Sequence, residues 1–499
     1  MLDIFLVSLS ELITPTGLAL LLGASIIGLI IGTLPGLNVA MAVAILLPLT
    51  FSMAPALGLS ALVAVYVGGM SGGAVSAVLL NMPGTSSAIA TTFEGFPMSR
   101  KGQAVKALAT CTLASFAGGL IGLFLLVAFA PMAARLALKL GPAEYFSLSL
   151  MALAMVTILA RGSMVKGLLA CLLGMLGGTV GFAPIDGTAR FTLGSMDLMA
   201  GLGVIPVMIG LFAITQALRE AYDNKPLTSS FTFEKKGLDV TWREVQQNIG
   251  NIIRSSLIGV GIGVLPGMGG TASNMIAYAA AQQSSKHRAE FGKGHVDGLW
   301  ATESSNSAGV GGALLPLITL GIPGDGVTAI MIGAFMIHGL QPGPLLFTEQ
   351  PGIVTSIYAA LLIAIVFVVA FQLLTLRVFP RVLGIPKHYL VPVIVVLSVF
   401  GAFAADNNMF DIWVMFGTGL IGIILISVGL PVGPLILGFI LGPIVETNLR
   451  RALMHSNGDA TVFFTEPISL VFMLAIIAFV LFGVLKNTCS GWFGRLASR

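Results

Sequence analysis

Charge is scarce in this sequence. Of 499 residues only 25 are Lys or Arg and 21 are Asp or Glu, 9% of the chain, against about 25% in a soluble domain. So few charges cannot clothe the surface of a soluble protein of this length. The weak and scattered excess of +4 also excludes a nucleic-acid surface, which needs a clustered basic face. Cysteine is nearly absent. Cys111, Cys171 and Cys489 are the only three, and none stands at Cys-x-x-Cys or Cys/His spacing. That excludes a disulfide framework and a zinc site, and the thiols read as small buried hydrophobes. No Gly-Lys-Ser/Thr step of a Walker loop occurs, and Gly261-x-Gly263-Val-Leu-Pro lacks the last glycine of a dinucleotide loop. Nucleotide-driven transport by this chain alone is unsupported. Met1 to Ser10 lacks a basic n-region and a following cleavage site, so the first apolar run, Thr16 to Ile31, reads as a retained helix.

What fills the chain instead is apolar: 56% of residues, with a mean hydropathy of +0.99. Runs of bilayer-crossing length lie near residues 16–33, 57–80, 105–130, 143–160, 163–182 and 197–217, then 251–265, 301–321, 352–375, 389–404, 409–429, 431–448 and 467–486. Shorter pieces lie near 39–50, 84–93, 268–281 and 326–340. The expectation is roughly ten to fourteen membrane segments, several of half length. The 62 glycines and 24 prolines suit membrane helices that are broken and closely packed. The fold class is an all-α polytopic membrane protein in the lipid bilayer.

One stretch, Arg219 to Arg254, is rich in charge, including Glu234, Lys235, Lys236, Asp239, Arg243 and Glu244. It separates two halves that resemble each other. Gly32-Thr-Leu-Pro35-Gly36 recurs as Gly263-Val-Leu-Pro266-Gly267, and the segment ending Asn81-Met-Pro83-Gly84 recurs as the one ending Gly321-Ile-Pro323-Gly324. Gly141-Pro142 with Tyr145 recurs near Gly384, Pro386 and Tyr389. Gly201-Leu202-x-Val204-x-Pro206-x-x-x-Gly210 recurs letter for letter as Gly429-Leu430-x-Val432-x-Pro434-x-x-x-Gly438. One match is within chance for a Gly/Pro-rich chain; four in order are not. Residues 1–225 form a first membrane repeat, 226–250 a polar linker or surface helix, and 251–499 a second repeat. Arg100, Lys101 and Lys106 answer to Gln341 and Glu349, and Arg161 and Lys166 answer to Asp406 and Asp411. This reversal of sign favours inverted repeats under the positive-inside rule, although the Arg135/Lys139 loop aligns with Arg377, Arg381 and Lys387, basic in both.

The four Pro-Gly pairs, Pro35-Gly36, Pro83-Gly84, Pro266-Gly267 and Pro323-Gly324, each interrupt or edge an apolar run. Proline removes a ladder donor and glycine permits backbone angles that other residues resist. Freed backbone groups survive in hydrocarbon only where they line protein or water. Two breaks per half therefore imply discontinuous helices or re-entrant hairpins, the arrangement of secondary transporters with a site near the midplane. Polar residues flank the breaks: Asn38 after the first and Thr85, Ser86 and Ser87 after the second. Gly270, Thr271, Ser273 and Asn274 follow the third, and Asp325 follows the fourth. Thr302, Glu303, Ser304, Ser305, Asn306 and Ser307 precede the fourth. Half-helix starts of this kind present N–H groups and a positive dipole end to a carboxylate. Packing explains scattered cases such as Ser115 or Thr157 better. Asp325 reads equally as a cation or proton ligand and as a helix N-cap; Glu303 and His338 read as interfacial helix ends. His338 lacks a second ligand at metal spacing, and Gly69-x-Ser71-x-Gly73 matches a nucleophile elbow only as a glycine-rich chain does by accident.

The segments 32–38, 81–88, 263–274, 302–308 and 320–326 resemble the large membrane subunit of the tripartite tricarboxylate transporters, TctA-like, over nearly the whole chain and without departure from the motif set. The resemblance implies a bacterial inner-membrane, multi-pass importer of citrate-like di- and tricarboxylates. It also implies a small four-helix membrane subunit, a periplasmic solute-binding protein on which substrate identity depends, and a Na+ or H+ gradient. No other cofactor and no enzymatic step are implied. The expected substrate contacts are Asn38, Asn81, Thr85, Ser86, Ser87, Thr271, Ser273, Asn274, Ser304, Ser305 and Asn306. Na+ is expected around Pro35, Gly36, Asn38, Pro266, Gly267, Gly270 and Asp325. Alternating access would move the paired hairpins, elevator fashion, with a homodimer left open. The rival readings are an intramembrane serine hydrolase, with Ser71 activated by His338, and a passive anion channel.

Overall fold

Prolines and polar caps set where the helices start. Pro15, Pro55 and Pro351 open the helices Pro15–Thr33, Pro55–Leu80 and Pro351–Thr375, in the turn where a missing N–H has no partner to lose. Thr14 caps the first of these, its hydroxyl accepting from Gly17 N at 3.2 Å. The computed structural model describes residues 2–159, 164–222, 240–267, 269–384 and 387–481. Arg161, Glu234 to Asp239, Pro386 and Cys489 lie outside the described residues. Among those described, the chain is helical except for a small ribbon that pairs Gly181–Phe182 antiparallel with Ala189–Arg190. Seven described helices are long and apolar enough to cross a membrane: Pro15–Thr33, Pro55–Leu80, Ala104–Ala137, Val204–Tyr222, Pro351–Thr375, Met409–Ser427 and Val432–His455. Shorter apolar helices, among them Val39–Thr50, Met164–Gly178 and Gly326–Ile337, accompany them. The chain is an all-α polytopic membrane protein. The helix Trp242–Gly263 starts ahead of the expected boundary at 251. Thr241 and Glu244 close a capping box there, at 3.3 Å and 3.0 Å, and this satisfies two N–H groups that the start of a helix leaves unpaired.

The chain divides into two compact units, residues 1–135 with 205–420 and residues 136–204 with 421–499. Each unit draws on both sequence halves. The first has Pro55–Leu80 at its centre, with a core window buried throughout; Pro15–Thr33 and Pro351–Thr375 pack on it. A helix buried on every side has no polar stripe, so its sequence shows no helical periodicity. In the same unit Trp242–Gly263 packs on Val296–Leu320, and the two pairs correspond in detail. A Cβ on Gly32 would lie 2.1 Å from the Gly69 oxygen, and one on Gly84 would lie 2.1 Å from the Gly32 oxygen. A Cβ on Gly263 would lie 2.8 Å from the Gly309 oxygen, and one on Gly324 would lie 2.7 Å from the Gly263 oxygen. Only glycine lets backbones approach this closely. The repeated motifs thus meet one another in the same way in each half.

In the second unit Val432–His455 packs on Pro142–Leu159 and Met164–Gly178. A Cβ on Gly438 would lie 2.1 Å from the Cys171 oxygen, and one on Gly174 would lie 1.9 Å from the Leu435 oxygen. The ribbon is tied to Val432–His455 by Arg190 to Glu446 at 2.7 Å and by Arg450 to Asp186 at 2.8 Å. In the first unit Gly210, aligned with Gly438 in the repeated motif, would bring a Cβ within 2.4 Å of the Met415 oxygen. Each copy of that motif therefore packs its last glycine on a helix from the opposite sequence half.

Candidate functional site

All four expected interruptions are present. After Pro15–Thr33 the chain turns extended at Leu34, Gly36 takes φ +96°, and Asn38 caps the helix Val39–Leu46 by accepting from Met41 N at 2.7 Å. Pro55–Leu80 stops at Asn81, φ +56°, and extended Thr85 leads through the turn Ser86–Ala88 to the helix Thr91–Arg100. Gly267, φ +75°, separates Trp242–Gly263 from Gly269–Ser284. Val296–Leu320 stops at Gly321, φ +70°, and Asp325 caps Gly326–Ile337. Asn81 and Gly321 hold aligned left-handed positions; asparagine is one of the few side chains that adopt that conformation.

Elements flanking three of these breaks converge on one polar cluster in the first unit. Thr85 and Ser87 hydroxyls lie 2.9 Å apart, and Ser87 Oγ reaches Met70 Sδ at 3.9 Å. Asn274, on Gly269–Ser284, donates from Nδ2 to the Ser87 carbonyl. Asn306, on Val296–Leu320, donates from Nδ2 to the Met70 carbonyl at 3.1 Å and to Glu303 Oε2 at 3.2 Å. Gly270 completes it, for a Cβ there would stand 2.6 Å from Ser87 Cβ and 3.5 Å from Asn306 Oδ1. Asn274 is 1% exposed and Asn306 0%, yet Oδ1 of each has no hydrogen-bond partner. A buried polar atom left unpaired costs about 1–3 kcal/mol, and these two oxygens make the cluster the candidate site. Among the described residues, no lysine or arginine bonds to the cluster.

The remaining candidates are distributed more widely. Ser86 and Asn81 are exposed. Thr271 is half-buried in the first turn of Gly269–Ser284, and Ser273 donates to the Gly270 carbonyl at 3.0 Å. Ser304 and Ser305 are buried where their backbones face glycines: a Cβ on Gly118 would lie 2.2 Å from Ser304 O, and one on Gly259 would lie 2.3 Å from Ser305 O. Their hydroxyls have no partner. Thr85 to Ser87 start only a three-residue turn, so of the two expected carboxylate-binding helix starts only Gly269–Ser284 offers the dipole of a longer helix. Of the expected cation ligands, Pro35 is buried and the Gly36 carbonyl accepts from Gln216. Pro266 is buried too, while Gly267 N donates to the Gly324 carbonyl at 2.9 Å and so joins the two breaks of the second half. Asp325 is engaged as a cap: Oδ1 accepts from Thr328 N and Oγ1, both at 2.8 Å, and Oδ2 accepts from the Tyr66 hydroxyl. Ser71 donates to Gln372 at 2.8 Å, whereas His338 Nε2 faces Gly58; the two do not form a nucleophile and base.

Two carboxyls are buried in ways that the sequence did not indicate. Glu303 is enclosed by protein. It is 0% exposed and is bonded by Thr91 at 2.5 Å, Ser115 at 3.4 Å and Asn306, because three helices close over it. Glu94, also buried, accepts from Tyr278 at 2.7 Å and from the N–H groups of Gly292, Gly294 and His295 at 2.5–2.7 Å. It holds the loop between Gly269–Ser284 and Val296–Leu320. The signal that pointed to Glu303 was its place among Thr302 to Ser307; nothing local pointed to Glu94.

The family described as tripartite tricarboxylate transporter TctA family matches residues 18–437. An uncharacterized 52.8 kDa protein in the TAR-I ttuC' 3' region of Agrobacterium vitis is 36% identical over 475 residues, 95% of this chain and 94% of that protein. An uncharacterized protein in the TAR-II ttuC' 3' region of the same organism is 40% identical over 208 residues, 42% of this chain and 86% of that protein. No solved structure matches the chain.

Proposed function

The chain belongs to the tripartite tricarboxylate transporter TctA family, and we propose that it is the membrane subunit that carries citrate-like di- and tricarboxylates into a bacterial cell across the inner membrane. A Na+ or H+ gradient drives the movement, a periplasmic binding protein delivers the substrate, and a small four-helix subunit completes the assembly. The observation that supports this most is the convergence of Thr85, Ser87, Asn274 and Asn306 from elements beside three of the breaks, where hydroxyl donors lie buried together.

The chemistry suits an anion that must be released again. Hydroxyls of Thr85, Ser87 and Thr271 and the N–H groups opening Gly269–Ser284 can donate to carboxylates without a buried lysine or arginine, which would hold the anion too firmly. Thr85 and Ser87 now satisfy each other and can exchange that bond for a substrate oxygen at little net cost. Two inverted copies, whose broken helices move together elevator fashion, give this cluster access to each side in turn.

The test is uptake of labelled citrate into vesicles that contain all three components. Asn274→Leu removes the bond to Ser87 and fills the cluster with apolar bulk, so uptake is expected to fall at least about tenfold with membrane insertion intact. Undiminished uptake would refute the assignment. Uptake that follows the citrate gradient alone, indifferent to Na+ and pH gradients, would make the protein a channel.

A further inference from the structure

Glu303 is a buried carboxyl that neither caps a helix nor holds a loop. It lies on Val296–Leu320, fully buried. The oxygens around it come from three helices: Thr91 Oγ1 at 2.5 Å from Oε1, Ser115 Oγ at 3.4 Å from Oε2, and Thr302 Oγ1 at 3.2 Å from Thr91 Oγ1. The charged and titratable groups on the packed elements are committed elsewhere. Glu94 and Tyr278 bond to each other, Lys106 pairs with Glu244, and Tyr66 bonds to Asp325. Among the described residues only the buried Cys111 thiol faces Glu303. A carboxylate fully buried in protein must be neutralised or paired with positive charge, and among the described residues no side chain supplies one. Hard oxygens from a carboxylate and the two hydroxyls bonded to it suit a small hard cation.

Asn306 ties this carboxyl to the polar cluster. Its Nδ2 donates to both Glu303 Oε2 and the Met70 carbonyl, while Oδ1, buried and unpaired, is turned to Gly270. A single planar amide therefore touches the carboxyl at one end and the cluster at the other.

We propose that Glu303 is the coupling-cation site. A monovalent cation, either a proton or Na+, neutralises its carboxylate, and Asn306 turns with that occupancy to set its Oδ1 and Nδ2 for or against substrate. This rests on the transport reading above. Linkage makes the effect reciprocal: substrate in the cluster tightens the cation at Glu303 by the same factor.

The experiment uses vesicles with the full transport system and labelled citrate, and it reads two activities. One is exchange at equal citrate on both sides without an ion gradient; the other is net accumulation under an imposed pH or Na+ gradient. Wild type performs both. E303Q, an uncharged isostere of the neutralised group, is expected to keep exchange within about threefold and to lose gradient-driven accumulation at least about tenfold. E303D, which keeps the charge, is expected to keep accumulation with an altered pH or Na+ dependence. Accumulation driven by pH alone identifies the proton, and accumulation that requires Na+ identifies Na+. E303Q that accumulates like wild type overturns the proposal while leaving the transport reading intact. Loss of exchange in both inserted variants makes Glu303 structural and also overturns it. Wild type that exchanges no carboxylate overturns the transport reading itself. Should E303Q fail to insert, carbodiimide labelling of the wild-type chain decides. Modification of Glu303 that alkaline pH or Na+ suppresses supports the proposal, and a Glu303 peptide that stays unmodified overturns it.

Discussion

Gly32→Ala is the substitution for which the structure fixes a magnitude most directly. The new methyl would stand 2.1 Å from the Gly69 oxygen and 2.8 Å from the Gly69 Cα. Comfortable contact needs about 3.5 Å, and the obstacle is backbone, which cannot rotate away. The helices Pro15–Thr33 and Pro55–Leu80 must therefore part by about 1 Å along a crossing that Gly72 and Gly84 share. Overpacking of this kind costs about 1–3 kcal/mol. Gly23→Ala, on the same helix with nothing within 4 Å, should instead gain about 0.5–1 kcal/mol from helix propensity. The two variants are thus separated by about 1.5–4 kcal/mol. In the second half the cost should be smaller for Gly263→Ala, 2.8 Å from the Gly309 oxygen, and close to nothing for Gly309→Ala, 3.6 Å from the Gly259 oxygen. Thermal unfolding of the purified full-length chain in detergent, followed by size-exclusion fluorescence, should rank Gly23→Ala and Gly309→Ala highest, then Gly263→Ala, with Gly32→Ala lowest. Gly32→Ala and Gly23→Ala melting together would show that the close crossing is not there.

Other outcomes follow from the same contacts. Asn306→Leu, like Asn274→Leu, should lower citrate uptake at least about tenfold in vesicles where the amount of inserted protein is unchanged; uptake equal to wild type would remove the cluster from the transport path. Glu94→Ala leaves the N–H groups of Gly292, Gly294 and His295 without their acceptor, at about 1–3 kcal/mol for each one that finds no water. Trypsin should then cut after exposed Lys293 much faster than in wild type, and an unchanged cleavage rate would refute the clamp. Asp186 is held down to about 2 by hydrogen bonds from Arg450 and Thr188, below the unfolded carboxylate value of about 3.9. A depressed folded value means that the stabilising effect is complete above about pH 4 and fades as pH falls towards 2. Because the pair is exposed and salt-screened the effect is small. The melting difference between wild type and Asp186→Asn should hold steady from neutral pH down to about 5 and vanish in strong acid.

The interruptions were legible because proline and glycine act on the backbone locally. Pro35-Gly36, Asn81 to Gly84, Pro266-Gly267 and Gly321 to Gly324 break their helices whatever packs around them. Asp325 could be recognised as a cap candidate for the same reason, since it bonds within its own first turn; Asn38, read only as a ligand, caps its helix in the same way. The motif repeats also proved informative in three dimensions, for aligned glycines approach aligned carbonyls. Glu94 was invisible because its partners stand 184 to 201 positions away, and sequence spacing carries no trace of such a pairing. Glu303 could be listed among polar neighbours, but its burial depends on Thr91 and Ser115 from distant helices. The compact units could not be anticipated either. Gly438 packs on Cys171 and Gly210 on Met415, so the helices exchange between halves at a level that a linear duplication does not record.

The central claim is that broken helices from both halves hold the travelling anion between them. Its most direct test is an electron cryo-microscopy map of the full transport complex with citrate bound. Density for the anion in contact with Asn274 and Asn306, beside Ser87 and the start of Gly269–Ser284, is the result this account predicts. Citrate bound elsewhere, or helices running unbroken through residues 30–40 and 263–274, would contradict it.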